Sequence, residues 1–307
     1  MVNKRVYYGG QAVIEGVMIR GPKTMAIACR RPDGVITSRR ENLSSIYTGL
    51  FRHIPFIRGA IVLWETLALG MRALIWSTNV QLGEEETEGG PIWGFAIGSL
   101  VVVGGIFFVG PLLLADLFGS SFLVLLIEGA IRLAVIIAYV GLIGLMPDVR
   151  RVYEYHGAEH MSIHAYEAGD PLEPAYVEHH PTAHVRCGTS FLLTVVVVSV
   201  IVFAAVGSPD LWLRVLSRVV LIPAIASISY EVIRLGGAFE SNPITKILMW
   251  PNLALQAITT KPPDHAQIAV ALRALKEVLA AEDLAAQEAP VAAAEAETAL
   301  EVAPPLD

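Results

Sequence analysis

Six of the eight histidines and one of the two cysteines lie in two short stretches, Tyr155–Glu167 (YHGAEHMSIHAYE) and His179–Ser190 (HHPTAHVRCGTS). Imidazole and thiolate together are the donors that transition metals take most readily. A helix advances about 1.5 Å and about 100° per residue, so His156 and His160 stand one turn apart on one face, as a helix offers two imidazoles to one ion. The spelling His156-Gly157-Ala158-Glu159-His160 follows the H-x-x-E-H order, in which two histidines ligate zinc and the glutamate activates its water. Five residues of that kind recur by chance in many chains, and histidines in polar loops are usually solvated. The metal reading gains its weight from the second cluster arriving close behind the first. His164 continues the four-residue rhythm but stands roughly 12 Å along the axis from His156, too far to share an ion. The remaining ligands must come from His180, His184 and Cys187, and the spacing His184-x-x-Cys187 suits a turn that clamps one ion. His156 and His160 are thus the expected first ligands of zinc or another divalent metal, with Glu159 as the catalytic carboxylate and the further ligands open among His180, His184 and Cys187.

Those residues sit in an apolar chain. Of 307 residues, 54% are hydrophobic and the mean hydropathy is +0.56, far from a soluble average. The sequence therefore predicts a membrane protein. The net charge of −7 comes from the tail, where residues 282–307 hold seven acids and no base, leaving 22 acids against 22 bases before it. The first sixty residues carry ten bases and three acids, which suits a cytoplasmic segment facing a membrane; no nucleic-acid-binding motif accompanies them. Two cysteines in separate segments argue against a disulfide framework, and MVNKRVYYGGQ lacks the apolar core of a signal peptide.

In chain order, residues 1–54 read as a small β-rich cytoplasmic unit, with a hairpin turning at Pro32-Asp33-Gly34. Its charges Glu15 and Arg20 read as a solvated pair on a strand rather than as part of a site. Residues 55–79 are apolar, but Arg58, Glu65 and Arg72 recur every seven residues on one stripe, as in an amphipathic in-plane or re-entrant helix. An acidic loop follows at Glu84–Glu88. Residues 93–146 hold two runs near the roughly twenty apolar residues of a span, a first transmembrane hairpin. Glu128 and Arg132 within it are expected to pair. The His/Cys region occupies 147–188, and 189–235 forms a second hairpin in which Pro223 invites a kink. Residues 236–281 suggest an interfacial helix broken at Pro251 and then a soluble amphipathic helix from His265. Residues 282–307 read as a disordered acidic tail. The fold class is thus mainly α, with about four transmembrane helices in two hairpins, the β-rich unit and interfacial helices. Both termini and the histidine region fall on one side, which the basic residues assign to the cytoplasm; Arg214 and Arg218 near the other face count against it.

The blocks GGQAVIEGVMIRGP (9–22), YHGAEH with AYE (155–167), RCGTSF (186–191), SYE (229–231) and LQAITTKPPD (255–264) closely resemble the signature of the YqhQ-like bacterial membrane proteins. That family is described as predicted metal-dependent enzymes of unknown function. The resemblance implies a multi-pass inner-membrane protein with a site at His156, Glu159, His160, His184 and Cys187. Met161 stands where the family usually has lysine, and Val185 where it has proline, but the histidine and cysteine positions are kept.

Two functions compete. A hydrolase-like enzyme would use three ligands and leave an open position for water that Glu159 deprotonates. A membrane scaffold or assembly factor would instead close the shell with four ligands and pin the loop between the hairpins. A metal transporter would need polar residues along the spans, which the Val-rich 195–202 run does not supply. Expected partners are the lipid bilayer and a substrate or membrane-protein partner, and not nucleic acid.

Overall fold

The computed structural model describes residues 8–49, 54–83, 90–119, 122–207, 210–239 and 242–302. The acidic loop at 84–88 and the last residues of the tail, 303–307, lie outside them. Four strands come first, β1 Gly9–Val13, β2 Gly16–Arg20, β3 Thr24–Arg30 and β4 Ile36–Asn42, followed by the helices α1 Ser45–Thr48, α2 Ile57–Leu82, α3 Gly90–Asp116, α4 Phe122–Ile143, α5 Pro147–Ala168, α6 Pro174–Val177, α7 Thr189–Val206, α8 Leu211–Val220, α9 Ile222–Ala238, α10 Pro243–Thr259 and α11 His265–Val302. The chain is mostly helical, with one small antiparallel sheet at its start.

The strands form a meander in the order β1-β2-β3-β4. Successive side chains point to opposite faces, and here both faces are covered. Val17, Ile19, Ala26 and Ala28 pack with α5 and α11 around Tyr155, Ala158, Ile268 and Leu275. On the other face Met18, Met25, Ile27 and Cys29 meet Leu69 and Ala73 of α2. The expected hairpin at Pro32-Asp33-Gly34 is present, with Gly34 at φ 87 and the Val35 N–H donating to Asp33 Oδ1 at 3.1 Å.

The charged stripe on α2 has a structural explanation. Arg58 pairs with Glu231 on α9, Glu65 with Arg20 on β2 at 2.8 Å, and Arg72 with Glu41 on β4 at 3.0 Å. The stripe thus ties α2 to a helical hairpin at one end and to the sheet at the other. Gly59 makes this possible at the α9 end, since a Cβ there would lie 2.7 Å from Ser227 Cα.

Three helices, α2, α4 and α7, are long and apolar enough to cross a membrane, and the pair α8 and α9, bent by 50° next to Pro223, would make a fourth. The described part of α3, Val101–Asp116, is a shorter apolar helix lying against α4. This pattern is compatible with a multi-pass membrane protein. Within it Glu128 pairs with Arg132 at 2.7 Å as expected, and also with Arg218 of α8 at 2.7 Å. Arg214 pairs with Asp116 at 2.7 Å. The two arginines that spoke against the orientation are therefore engaged in internal ion pairs.

Three expectations change. Helix α2, read as an in-plane or re-entrant helix, is long and apolar enough to cross a membrane. Helix α10 is not broken at Pro251; it runs through the proline and packs along α7 and α4, burying Asn252, Leu255 and Gln256. One lost backbone donor is outweighed by that contact. The acidic stretch expected to be structureless is helical as far as Val302, in keeping with the high helix propensity of Ala and Glu.

Candidate metal centre

Helix α5 follows α4 after three residues, and the Tyr153 hydroxyl donates back to the Val140 carbonyl at 3.0 Å, so its start is fixed to the end of an apolar helix. It opens on Pro147 with Asp148 in its first turn, and ends on Gly169 in the left-handed conformation at φ 79. Sheet and α11 enclose most of its length, so polar residues on it are buried and need partners. Glu159 is 3% exposed and His160 2%.

Those partners orient the imidazoles. The Nδ1–H of His156 donates to the Thr259 carbonyl at 2.9 Å, and that of His160 to the Thr182 carbonyl at 2.6 Å. A histidine whose Nδ1 hydrogen is held by a backbone carbonyl presents its Nε2 lone pair outward, the tautomer metal ligands need. His156 Nε2 lies 3.2 Å from Cys187 Sγ, and the ligand atoms of His156, His160 and Cys187 fall within 4.8 Å of one another. Cys187 is fixed by Thr189, whose Oγ1 is 3.2 Å and whose N–H is 3.4 Å from the sulfur. Two nitrogens and a sulfur in this arrangement fit zinc.

His184, expected as a fourth ligand, belongs to an adjoining group with His164 and Glu167, again within 4.8 Å. Its ring is 5.7 Å from that of His160 and 4.6 Å from that of His164. His180 stacks on His164, ring centroids 6.5 Å apart, and bonds Asp170 at 2.9 Å.

Electrostatics keep these groups in useful states. Burial pushes the Glu159 carboxyl up to about 7, against the opposing pull of His156 and the Gly10 N–H. Burial likewise lowers the pKa of His160, His164 and His184, favouring neutral rings with a free lone pair. Burial would raise Glu167, but His184, Arg186 and His164 together hold it below the usual carboxylate range.

The sequence did not reveal three supports. Gln256 of α10 is fully buried, accepts from the His184 N–H at 2.8 Å and donates to the His184 carbonyl at 2.9 Å, which fixes the ligand loop. The carbonyls of Thr182 and Thr259 act through backbone atoms, which no residue spelling betrays. Arg20 and Glu15, read as one solvated pair, are not paired with each other. Glu15 binds Arg151 and the Tyr155 hydroxyl at the edge of α5, while Arg20 and Glu65 line the cavity.

That cavity, about 390 Å³, reaches from the His/Cys group to an apolar wall made by Val62 and Leu63 of α2 and Ile233 of α9. It therefore joins the apolar helices to the sheet-bearing half, with Glu159 and Cys187 at one end.

The chain matches, over residues 54–281, the family described as "Protein of unknown function (DUF1385)". It is 34% identical over 305 residues to "Uncharacterized protein YqhQ" of Bacillus subtilis (strain 168), covering 91% of this chain and 94% of the relative. No solved structure matches it. With the family matched over most of its length and a relative aligned almost end to end, the chain belongs to the DUF1385 family, the YqhQ-like proteins.

Proposed function

We propose that the chain is a multi-pass protein of the bacterial inner membrane, with both termini cytoplasmic, that carries a metal-dependent, hydrolase-like site at the cytoplasmic membrane surface. The observation that supports this is the convergence of the His156 and His160 Nε2 lone pairs on Cys187, with both Nδ1 atoms anchored on carbonyls and Glu159 beside them. His156, His160 and Cys187 would hold the ion, which when bound supplies Lewis acidity and a water acidified towards a pKa of about 7. Glu159, buried against the Gly10 N–H, is the carboxylate that would accept a proton from the attacking water and return it to the leaving group. The loop clasped by Gln256 holds Cys187 in register with α5, and the α2–α9 wall receives the apolar part of an amphipathic substrate.

Glu159→Gln should leave bound zinc unchanged, measured by elemental analysis, while lowering hydrolysis of a panel of fluorogenic peptides and 4-nitrophenyl acyl esters by about 10²–10⁴-fold. Undiminished turnover with the metal in place would remove the assignment. X-ray absorption finding four protein ligands and no oxygen would favour the scaffold instead. For the orientation, a carboxy-terminal green fluorescent protein fusion is expected to fluoresce and an alkaline phosphatase fusion at the same point to be inactive; the reverse pattern refutes it.

A further inference from the structure

The ligand group of His156, His160 and Cys187 leaves His164, Glu167, His184 and Arg186 unexplained. They form the continuation of the same centre. Ring centroids run from His156 to His160 at 4.4 Å, from His160 to His184 at 5.7 Å and from His184 to His164 at 4.6 Å, an unbroken line of four imidazoles. The second group satisfies the same test as the first, with ligand atoms of His164, Glu167 and His184 all within 4.8 Å. His164 is anchored as a ligand should be, since its Nε2–H donates to the Ala183 carbonyl at 2.9 Å and Nδ1 keeps its lone pair.

A positive group already stands against two of these three donors, Glu167 and His184. Arg186 Nη2 bonds Glu167 and stands 3.4 Å from His184 Nε2. The Arg186 side chain is 24% exposed and lines the cavity, so it has space into which to withdraw. A guanidinium there is a stand-in for a cation held by one carboxylate and two imidazoles, a donor set that suits zinc or manganese.

We propose that the centre takes a second divalent cation, on His164, Glu167 and His184, with Arg186 leaving that position for the cavity when the ion binds. The proposal rests on the metal reading of the first group and extends it from one ion to two. The ion replaces the hydrogen that His184 now carries on Nε2 towards Glu167, 3.6 Å away. That hydrogen moves to Nδ1, which forfeits the bond from the Arg186 N–H at 3.2 Å, so backbone and side chain of Arg186 shift together. Paired ions in enzymes stand about 3.5–4 Å apart and clamp the attacking and leaving oxygens of a displacement. The displaced Arg186 would then face the anionic oxygens of a bound phosphoester from the cavity side.

Metal counting on the full chain in detergent decides it. Chelator-stripped protein is dialysed against zinc chloride and analysed by mass spectrometry, with circular dichroism confirming that each variant is folded. Wild type should hold two ions per chain, and His164→Ala and Glu167→Gln one each. Arg186→Gln, which removes the competing charge, should tighten the weaker site at least tenfold in competition with a chromophoric chelator. Cobalt(II) in wild type should give the spectrum of a coupled pair, and in Glu167→Gln that of an isolated ion. If wild type and Arg186→Gln both saturate at one ion that His164→Ala does not alter, the second site is refuted while the first stands. If neither binds any ion, the metal reading falls and this proposal with it.

Discussion

Replacing Glu128 with leucine is expected to destabilise the folded chain by about 3–5 kcal/mol, measured by denaturant unfolding in detergent micelles. Glu128, Arg132 and Arg218 are 2%, 1% and 0% exposed, and the one carboxylate receives hydrogen bonds from both guanidiniums. The arginines lie on Phe203, with Arg218 4.0 Å from its ring centroid, and Arg132 reaches Ser199 Oγ at 2.8 Å. Without Glu128 two like charges would share a low-dielectric interior with only dipoles to answer them, which is the costly way to break a buried pair. The triple change Glu128→Leu, Arg132→Met, Arg218→Met removes all the charge and is expected to return most of the stability. Arg150→Ala is the control, since Arg150 is exposed and losing its pairing with Glu154 should cost less than about 1 kcal/mol. A leucine variant unfolding within about 1 kcal/mol of wild type would show that the arginines have other adequate partners.

Gly157→Ala should weaken zinc binding by about 10–100-fold and lower stability by about 1–3 kcal/mol, although residue 157 is not a ligand. A Cβ at this position would lie 2.2 Å from the Lys261 carbonyl oxygen and 3.4 Å from Pro263 Cδ. The obstacle is backbone, held in turn by the Lys261 N–H on the Tyr153 carbonyl at 2.9 Å, so it cannot step aside as a flexible side chain would. Pushing residues 259–263 away lifts the Thr259 carbonyl from His156 Nδ1, and the ring loses what fixes its orientation. Gly188→Ala, beside Cys187 but with nothing within 4 Å of its Cβ, should leave binding near wild type. Titration with a chromophoric zinc chelator separates the two; equal affinities would sink the positioning argument.

Residue types and periodicity located much of this. The apolar runs, the turn at Gly34, the pairing of Glu128 with Arg132 and the helix carrying His156 and His160 all follow from local pattern. What failed to show was whatever depends on long-range contact. Arg58, Glu65 and Arg72 read as the stripe of an in-plane or re-entrant helix because period alone cannot say whether a charged face meets water or three separate carriers of opposite charge. Proline at 251 suggested a break because the burial of Gln256 against Ser190 and the ligand loop is invisible from the proline's neighbours. Spacing groups His184 with Cys187, yet its ring lies 4.6 Å from that of His164 and its ligand atom falls with those of His164 and Glu167.

The sheet formed by residues 9–42 is covered on one face by α11, and Glu282 there accepts hydrogen bonds from the backbone N–H groups of Lys23 and Thr24 at 2.8 and 3.0 Å. Synthesis runs in the other direction, so the first strands leave the ribosome more than two hundred residues before the helix that shields them. The long apolar helices α2, α4 and α7 are made in the interval. The hydrophobic face of the meander must therefore wait, bare or chaperoned, until translation ends, and the histidine-bearing helix beneath it settles only then. On the proposed multi-pass reading the last step of assembly follows insertion, and a nascent protein truncated before residue 265 would carry its sheet and the candidate metal centre without the cover of α11.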